Sequence, residues 1–201
     1  MKKTSLLMLL VIGFMLVQCG CESKKMVRTG FLSDYSRLQK ESDSSLRYVN
    51  ERALKSYSSF IVDHVKVRLY SGSKSKGKLT QEQIDDLTNY MHTKIVEAVQ
   101  GAGKRVVYQP ASGVARVRVA LTDMTKTDAI NMLPQASLLG MGIGGASMEA
   151  EVIDAMTGKQ VGAVLESKQG SKIPFSNLGD WTAAKSVIDS WAERFQKNLA
   201  K

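Results

Sequence analysis

The residues able to do acid–base or metal chemistry are few and scattered. His64 and His92 are the only histidines, and neither belongs to a His-x-x-x-His or Glu-x-x-His pair, so no local zinc signature exists. Asp63 stands beside His64 and could orient its imidazole, though a plain surface pair is the favoured reading. Asp123 ends an alternating segment. A hydrolase would need Asp63, His64, His92 and Asp123 to converge within about 10 Å of one another. No Gly-x-Ser-x-Gly elbow occurs, and both cysteines, Cys19 and Cys21, lie in the first 21 residues. The folded part therefore carries no thiolate, no disulfide and no metal site built on cysteine, and no cofactor is expected.

Two glycine-rich stretches imitate nucleotide sites. Gly72-Ser73-Lys74-Ser75-Lys76-Gly77-Lys78-Leu79-Thr80 sits between a strand and a helix as a phosphate-binding loop would. Leu79 stands where the hydroxyl after the lysine is required, and Thr80 already reads as a helix cap; a solvated lysine loop is the simpler reading. Gly140-Met141-Gly142-Ile143-Gly144-Gly145 matches the dinucleotide pattern in letters but is followed by a strand pattern, where that fingerprint needs a helix. The apolar run Leu138, Leu139, Met141 and Ile143 in this long loop is a candidate partner or lipid contact, or else a buried hairpin.

The strongest local signal lies at the N-terminus. Lys2 and Lys3, an apolar run from Leu6 to Val17 and the polar break after Cys21 describe a secretory leader, shorter than the about 20 apolar residues of a membrane span. Cys19, preceded by Leu16 and Val17, is the expected acylation site, with Cys21 the alternative. Residues 1–18 are then the signal peptide, and acyl chains anchor the remainder to a leaflet. Gly20 after the modified residue points to the periplasmic face of the outer membrane, by resemblance to known lipoprotein sorting.

Charge agrees with an envelope setting. The formal net charge is +9, of which the leader carries Lys2 and Lys3. For an exported chain nucleic acid is not the expected partner; lipid phosphates, anionic polymers or another envelope protein are. Lys74, Lys76 and Lys78 are the candidate contacts. From residue 19 to 57 the chain is polar, with Phe31, Leu32, Tyr35 and Leu38 as its apolar island. It reads as a tether that supplies reach, with Phe31 and Tyr35 as further interaction candidates.

The elements that position these groups follow from periodicity. Phe60 to Tyr70 alternates as a strand, and Thr80 with Gln83 opens a helix whose apolar stripe runs Ile84, Leu87, Met91, Ile95, Ala98 and Val99. Arg105–Tyr108, Val114–Asp123, Ser147–Asp154 and Gln160–Lys168 are further strands, and a helix from about 180 to 200 carries Trp181, Ala184, Ile188, Trp191, Phe195 and Leu199 inward. The solvent faces of the last three strands read basic, acidic and basic, and such rows pair if the strands are neighbours. The expected fold is a single α/β (α+β) domain, residues 58–201, in the order β-α-β-β-β-β-α. It has a mixed, mainly antiparallel sheet with two helices on one face.

Four segments also carry a resemblance. Gly30-Phe31-Leu32-Ser33-Asp34-Tyr35-Ser36-Arg37-Leu38, Arg116-Val117-Arg118-Val119-Ala120-Leu121-Thr122-Asp123, Ala146-Ser147-Met148-Glu149-Ala150-Glu151 and Trp191-Ala192-Glu193-Arg194 resemble, in order, an uncharacterised family of bacterial lipoproteins known as domain of unknown function 3313. The resemblance implies an envelope lipoprotein with an α/β domain and brings no catalytic residues with it. A non-enzymatic binding or assembly component is the leading expectation, and an envelope-polymer hydrolase the alternative.

Overall fold

A computed structural model describes residues 26–73, 75–127, 144–170 and 181–201 of the protein. Its centre is one eight-stranded mixed sheet. In chain order the elements are β1 (Gln39–Ser42), β2 (Ser45–Val49), α1 (Glu51–Lys55), β3 (Ser59–Val62), β4 (Lys66–Val67), α2 (Gln81–Gly101), β5 (Arg105–Val106), β6 (Val114–Thr125), β7 (Gly145–Asp154), β8 (Gln160–Gln169) and α3 (Thr182–Ala200). Across the sheet the order is β1-β2-β8-β7-β6-β3-β5, with β4 also beside β6. The β2, β8, β7 and β6 pairings are antiparallel, whereas β3 runs parallel to both β5 and β6.

The strand, helix and strand expected from Phe60 to Tyr108 are present as β3-α2-β5, a crossover between parallel strands. Thr80 caps α2 through a capping box with Gln83, and the helix stops where Gly103 adopts φ +74°, a left-handed conformation natural to glycine. Both long helices present the expected stripes. Leu87, Met91, Ile95 and Val99 from α2 and Ala184, Ile188, Trp191 and Leu199 from α3 bury against Val117, Val119, Leu121, Met148 and Val152 of the sheet.

Two expectations are revised. The strand expected over 60–70 is broken into β3 and β4, because Val62 pairs with Val117 while Lys66 pairs with Ala120, four residues against three. The extra residue makes an irregular step that holds Asp63, His64 and Val65. The order β-α-β-β-β-β-α is also incomplete. Residues 39–55, expected within the tether, form the hairpin β1-β2 and the short helix α1, and β2 completes the sheet against β8 with Leu46 opposite Leu165. The periodic signal there was weak because β1 is exposed along its whole length. The sheet thus extends N-terminal of the boundary expected at 57/58.

Candidate functional site

The sheet has two faces, and each carries a feature that the sequence did not announce. On the face away from the helices, Glu149 and Glu151 of β7 are 0% and 2% exposed. Their alternation with Met148, Ala150 and Val152 had marked them as solvent-facing. Instead the segment 28–38 lies over them as a strap. Glu149 accepts from the backbone N–H of Thr29 (2.7 Å) and of Phe31 (3.3 Å), and from the Tyr35 hydroxyl (2.5 Å). Glu151 accepts from the Ser33 N–H (2.9 Å) and hydroxyl (2.7 Å), from Gln160 Nε2 (2.8 Å) and from the Arg118 guanidinium (2.6 Å).

The bends of the strap make the clamp. Gly30 takes φ +79° and the chain bends again at Leu32 and Ser33, which turns the N–H groups of Thr29, Phe31 and Ser33 toward β7, where carboxylates stand at 149 and 151 on one face. A buried carboxylate is tolerable only when donors replace its water, and here seven do so. Burial and the bond to Glu149 both raise the Tyr35 phenol, which keeps it a donor. Phe31 and Leu32 sink onto Ala120 and Ala163, and the Arg118 guanidinium lies 5.1 Å from the centre of the Phe31 ring. Arg37 closes the strap. It bonds the Tyr48 hydroxyl at 2.8 Å and the Gln160 carbonyl at 3.2 Å, and stacks 4.3 Å above the Tyr48 ring. Phe31 and Tyr35, the two strap residues offered as interaction candidates, thus make their contacts within the chain.

The basic and acidic rows meet at Arg118 and Glu151, which are cross-strand neighbours. The expected third row does not join them, since β8 places Ala163 and Leu165 opposite Glu151 and Glu149. Those apolar residues make the floor under the strap.

On the helix side, a cavity of about 110 Å³ lies between α3 and the sheet. Val119, Met148, Ala150, Val164, Ile188 and Trp191 are among its walls, while the half-exposed Arg47, Arg194 and Asn198 stand at its mouth. Trp191 is 4% exposed, and its indole N–H is buried with no hydrogen-bond partner. Arg47 pairs with Glu41 at 3.1 Å, and Arg194 pairs with Glu166. Burial works to raise the Glu41 carboxyl, but Ser45, Arg47 and the more distant Arg194 outweigh it and hold it below the usual range.

The lysine loop is organised by its serines. Ser73 and Ser75 are buried and both donate to Asp123, at 2.6 and 2.8 Å, while Lys76 and Lys78 project into solvent. Lys74, the loop residues Leu138, Leu139, Met141 and Ile143, and Cys19 and Cys21 lie outside the described residues. Gly145 opens β7, and a Cβ there would stand 2.4 Å from the Lys168 carbonyl oxygen. Close strand packing therefore accounts for that glycine, as the strand reading required.

The four acid–base candidates do not gather. His64 and His92 come together as stacked rings, centroids 5.2 Å apart, with His92 Nε2 3.4 Å from the Val62 carbonyl. Asp63 instead accepts from Arg116 at 2.6 Å. Asp123 lies three residues along β6 beyond Ala120, the partner of Lys66, and six beyond Val117, the partner of Val62, so it stands roughly 15 Å from the step that holds Asp63 and His64 at about 3.3 Å per residue, and Ser73 and Ser75 take its carboxylate. Among the described residues no cluster of three or more metal-ligating side chains occurs, and no helix is long and apolar enough to cross a membrane.

The strap, the carboxylates and the cavity wall all fall inside one family match. The family described as "protein of unknown function (DUF3313)" matches residues 28–195. The chain belongs to this family. All four segments that carried the resemblance meet at the two features just described: the strap, Arg118 and the Glu149-Glu151 pair form the clamp, while Trp191 and Arg194 line the cavity. No curated protein matches the chain. Among solved structures, a PelC dodecamer from Paraburkholderia phytofirmans is 13% identical with a TM-score of 0.46, covering 78% of this chain and 96% of its own. A point variant of that PelC is 14% identical at the same TM-score, covering 76% of this chain and 96% of its own. Likeness at that distance bears on neither function nor assembly.

Proposed function

We propose that this member of the family is an acyl-anchored, non-enzymatic binding component of the bacterial cell envelope. The leader supports export, and Cys19 supports anchoring, with Cys21 as the alternative; Gly20 supports the periplasmic face of the outer membrane. The observation that carries the reading is the clamp. If Cys19 is acylated, Thr29, the first strap residue held by Glu149, is only ten residue steps from the lipid. Ten residues reach at most about 35 Å. A free tether running to residue 57 would reach beyond about 120 Å, so docking the strap changes the protein from a distant tethered domain to one held against its membrane.

At that distance the exposed Lys76 and Lys78 are available to lipid phosphates or anionic envelope polymers. The hydrolase alternative lacks a comparable support, because Asp63 is engaged by Arg116 and Asp123 lies far along β6. Metabolic labelling with a palmitate analogue, followed by membrane fractionation, tests the anchor. Wild-type protein should be labelled and sediment with membranes, while Cys19→Ser should lose the label and become soluble. Label retained in Cys19→Ser but lost in Cys21→Ser would move the anchor, and unlabelled soluble wild type would remove it.

A further inference from the structure

We infer that the cavity between α3 and the sheet binds the end of a single acyl chain, with the chain's oxygen-bearing head at the Arg47, Arg194 and Asn198 mouth. The walls dictate an apolar occupant. Val119, Met148, Ala150, Val164 and Ile188 offer no polar side chain. The half-open space of about 110 Å³ is somewhat smaller than the ~150 Å³ apolar cavities that stay dry and admit one benzene. A narrow linear chain end fits such a volume, whereas a fused ring system does not.

The mouth points to a ligand with oxygen atoms. The mouth is the one part of the cavity lined by cations. Arg47 and Arg194 both line it, and although each is paired with a carboxylate, Glu41 and Glu166, a guanidinium has further N–H donors that can take an anionic or ester oxygen. The enclosed end takes methylenes and the rim takes the head. The face opposite is closed by the strap, so the cavity remains the accessible apolar site of this sheet among the described residues.

The inference rests on the binding-component reading, but its outcome is separable from anchoring, which labelling decides by itself. The shared chemistry is an acyl chain, supplied either as a free fatty acid or within a lysophospholipid. The test uses the full chain carrying Cys19→Ser and Cys21→Ser, titrated with dodecanoate and with lauroyl-lysophosphatidylcholine below their micellar concentrations. Trp191 fluorescence and the melting temperature are the readouts, each compared with the same chain carrying Ala150→Phe or Ala192→Leu, which fill the cavity from the sheet and from the helix. Saturable binding is expected in the parent chain, with a melting temperature several degrees higher at large ligand excess. The filled variants should bind at least ten-fold more weakly. Binding of only one of the two ligands identifies the source, free acid or membrane lipid. Equal binding by the parent and whichever filled variant folds, or saturable binding of neither ligand to the parent, overturns the inference.

Discussion

Glu151 gathers two donors from the strap, one from β8 and one from β6, so its removal strands several partners at once. Arg118 keeps about a third of its side chain exposed and can rehydrate, which moderates the loss. Glu151→Ala should therefore cost about 3 kcal/mol, between the ~1–3 of an unsatisfied polar group and the ~3–5 of a broken buried pair. Glu149→Gln keeps one acceptor oxygen and should cost less, about 1–2 kcal/mol. Urea unfolding of the two variants checks the ranking. A second residue-scale expectation concerns alkaline stability. Burial, and then the bond to Asp154, pushes the Tyr57 phenol up to about 12; burial and Asp189 do the same for Tyr90. In each case the folded state prefers the neutral phenol, so this contribution is whole below the unfolded value near 10 and is lost as pH rises through about 12. Tyr57→Phe and Tyr90→Phe together should flatten the fall in stability over that window, and ultraviolet titration should show Tyr57 and Tyr90 ionising last among the six tyrosines. An unchanged alkaline limb in the double variant would refute this.

At the scale of elements, the lysine loop separates a holding role from a contacting one. Ser73 and Ser75 bind Asp123, whereas Lys76 and Lys78 stand in solvent. Replacing Lys74, Lys76 and Lys78 together by Gln should change stability by no more than about 0.5 kcal/mol. Sedimentation with anionic vesicles should weaken at low salt and converge with wild type as screening shortens to about 8 Å at 0.15 M. Equal, salt-insensitive binding would leave the loop out of the binding surface. The two long helices were legible in the sequence because their 3.6-residue periodicity speaks locally, with Thr80 and Gly103 marking the ends of α2; the five-residue α1 was too short to show a period. Strands β6, β7 and β8 were legible from alternation. The β1-β2 hairpin was not, since an edge strand with every residue exposed has no apolar phase to read. The break between β3 and β4 was hidden for another reason: one extra residue is set by pairing to β6, which local sequence does not contain.

For the whole molecule, the least legible feature was the most consequential. Alternation in β7 says which residues share a face, but not whether water or another segment covers that face. Glu149 and Glu151 were therefore read as solvated, and their true environment follows from a strap more than a hundred residues earlier in the chain. The available hint was the apolar island Phe31, Leu32, Tyr35 and Leu38, which needed a surface to cover. The cavity escaped for a similar reason, as it exists only where α3 crosses the sheet. The strap closes one face of the sheet, and with the anchor proposed at Cys19 it would hold the domain close to its membrane. Native-state hydrogen exchange over residues 28–38 tests that claim most directly, in wild type and in Glu149→Gln/Glu151→Gln. The account predicts that the amides of Phe31 and Ser33 exchange in wild type as slowly as those of β7, and that the double variant frees them while β6–β8 stay protected. Exchange of 28–38 at the rate of an unfolded chain in the wild-type protein would contradict it.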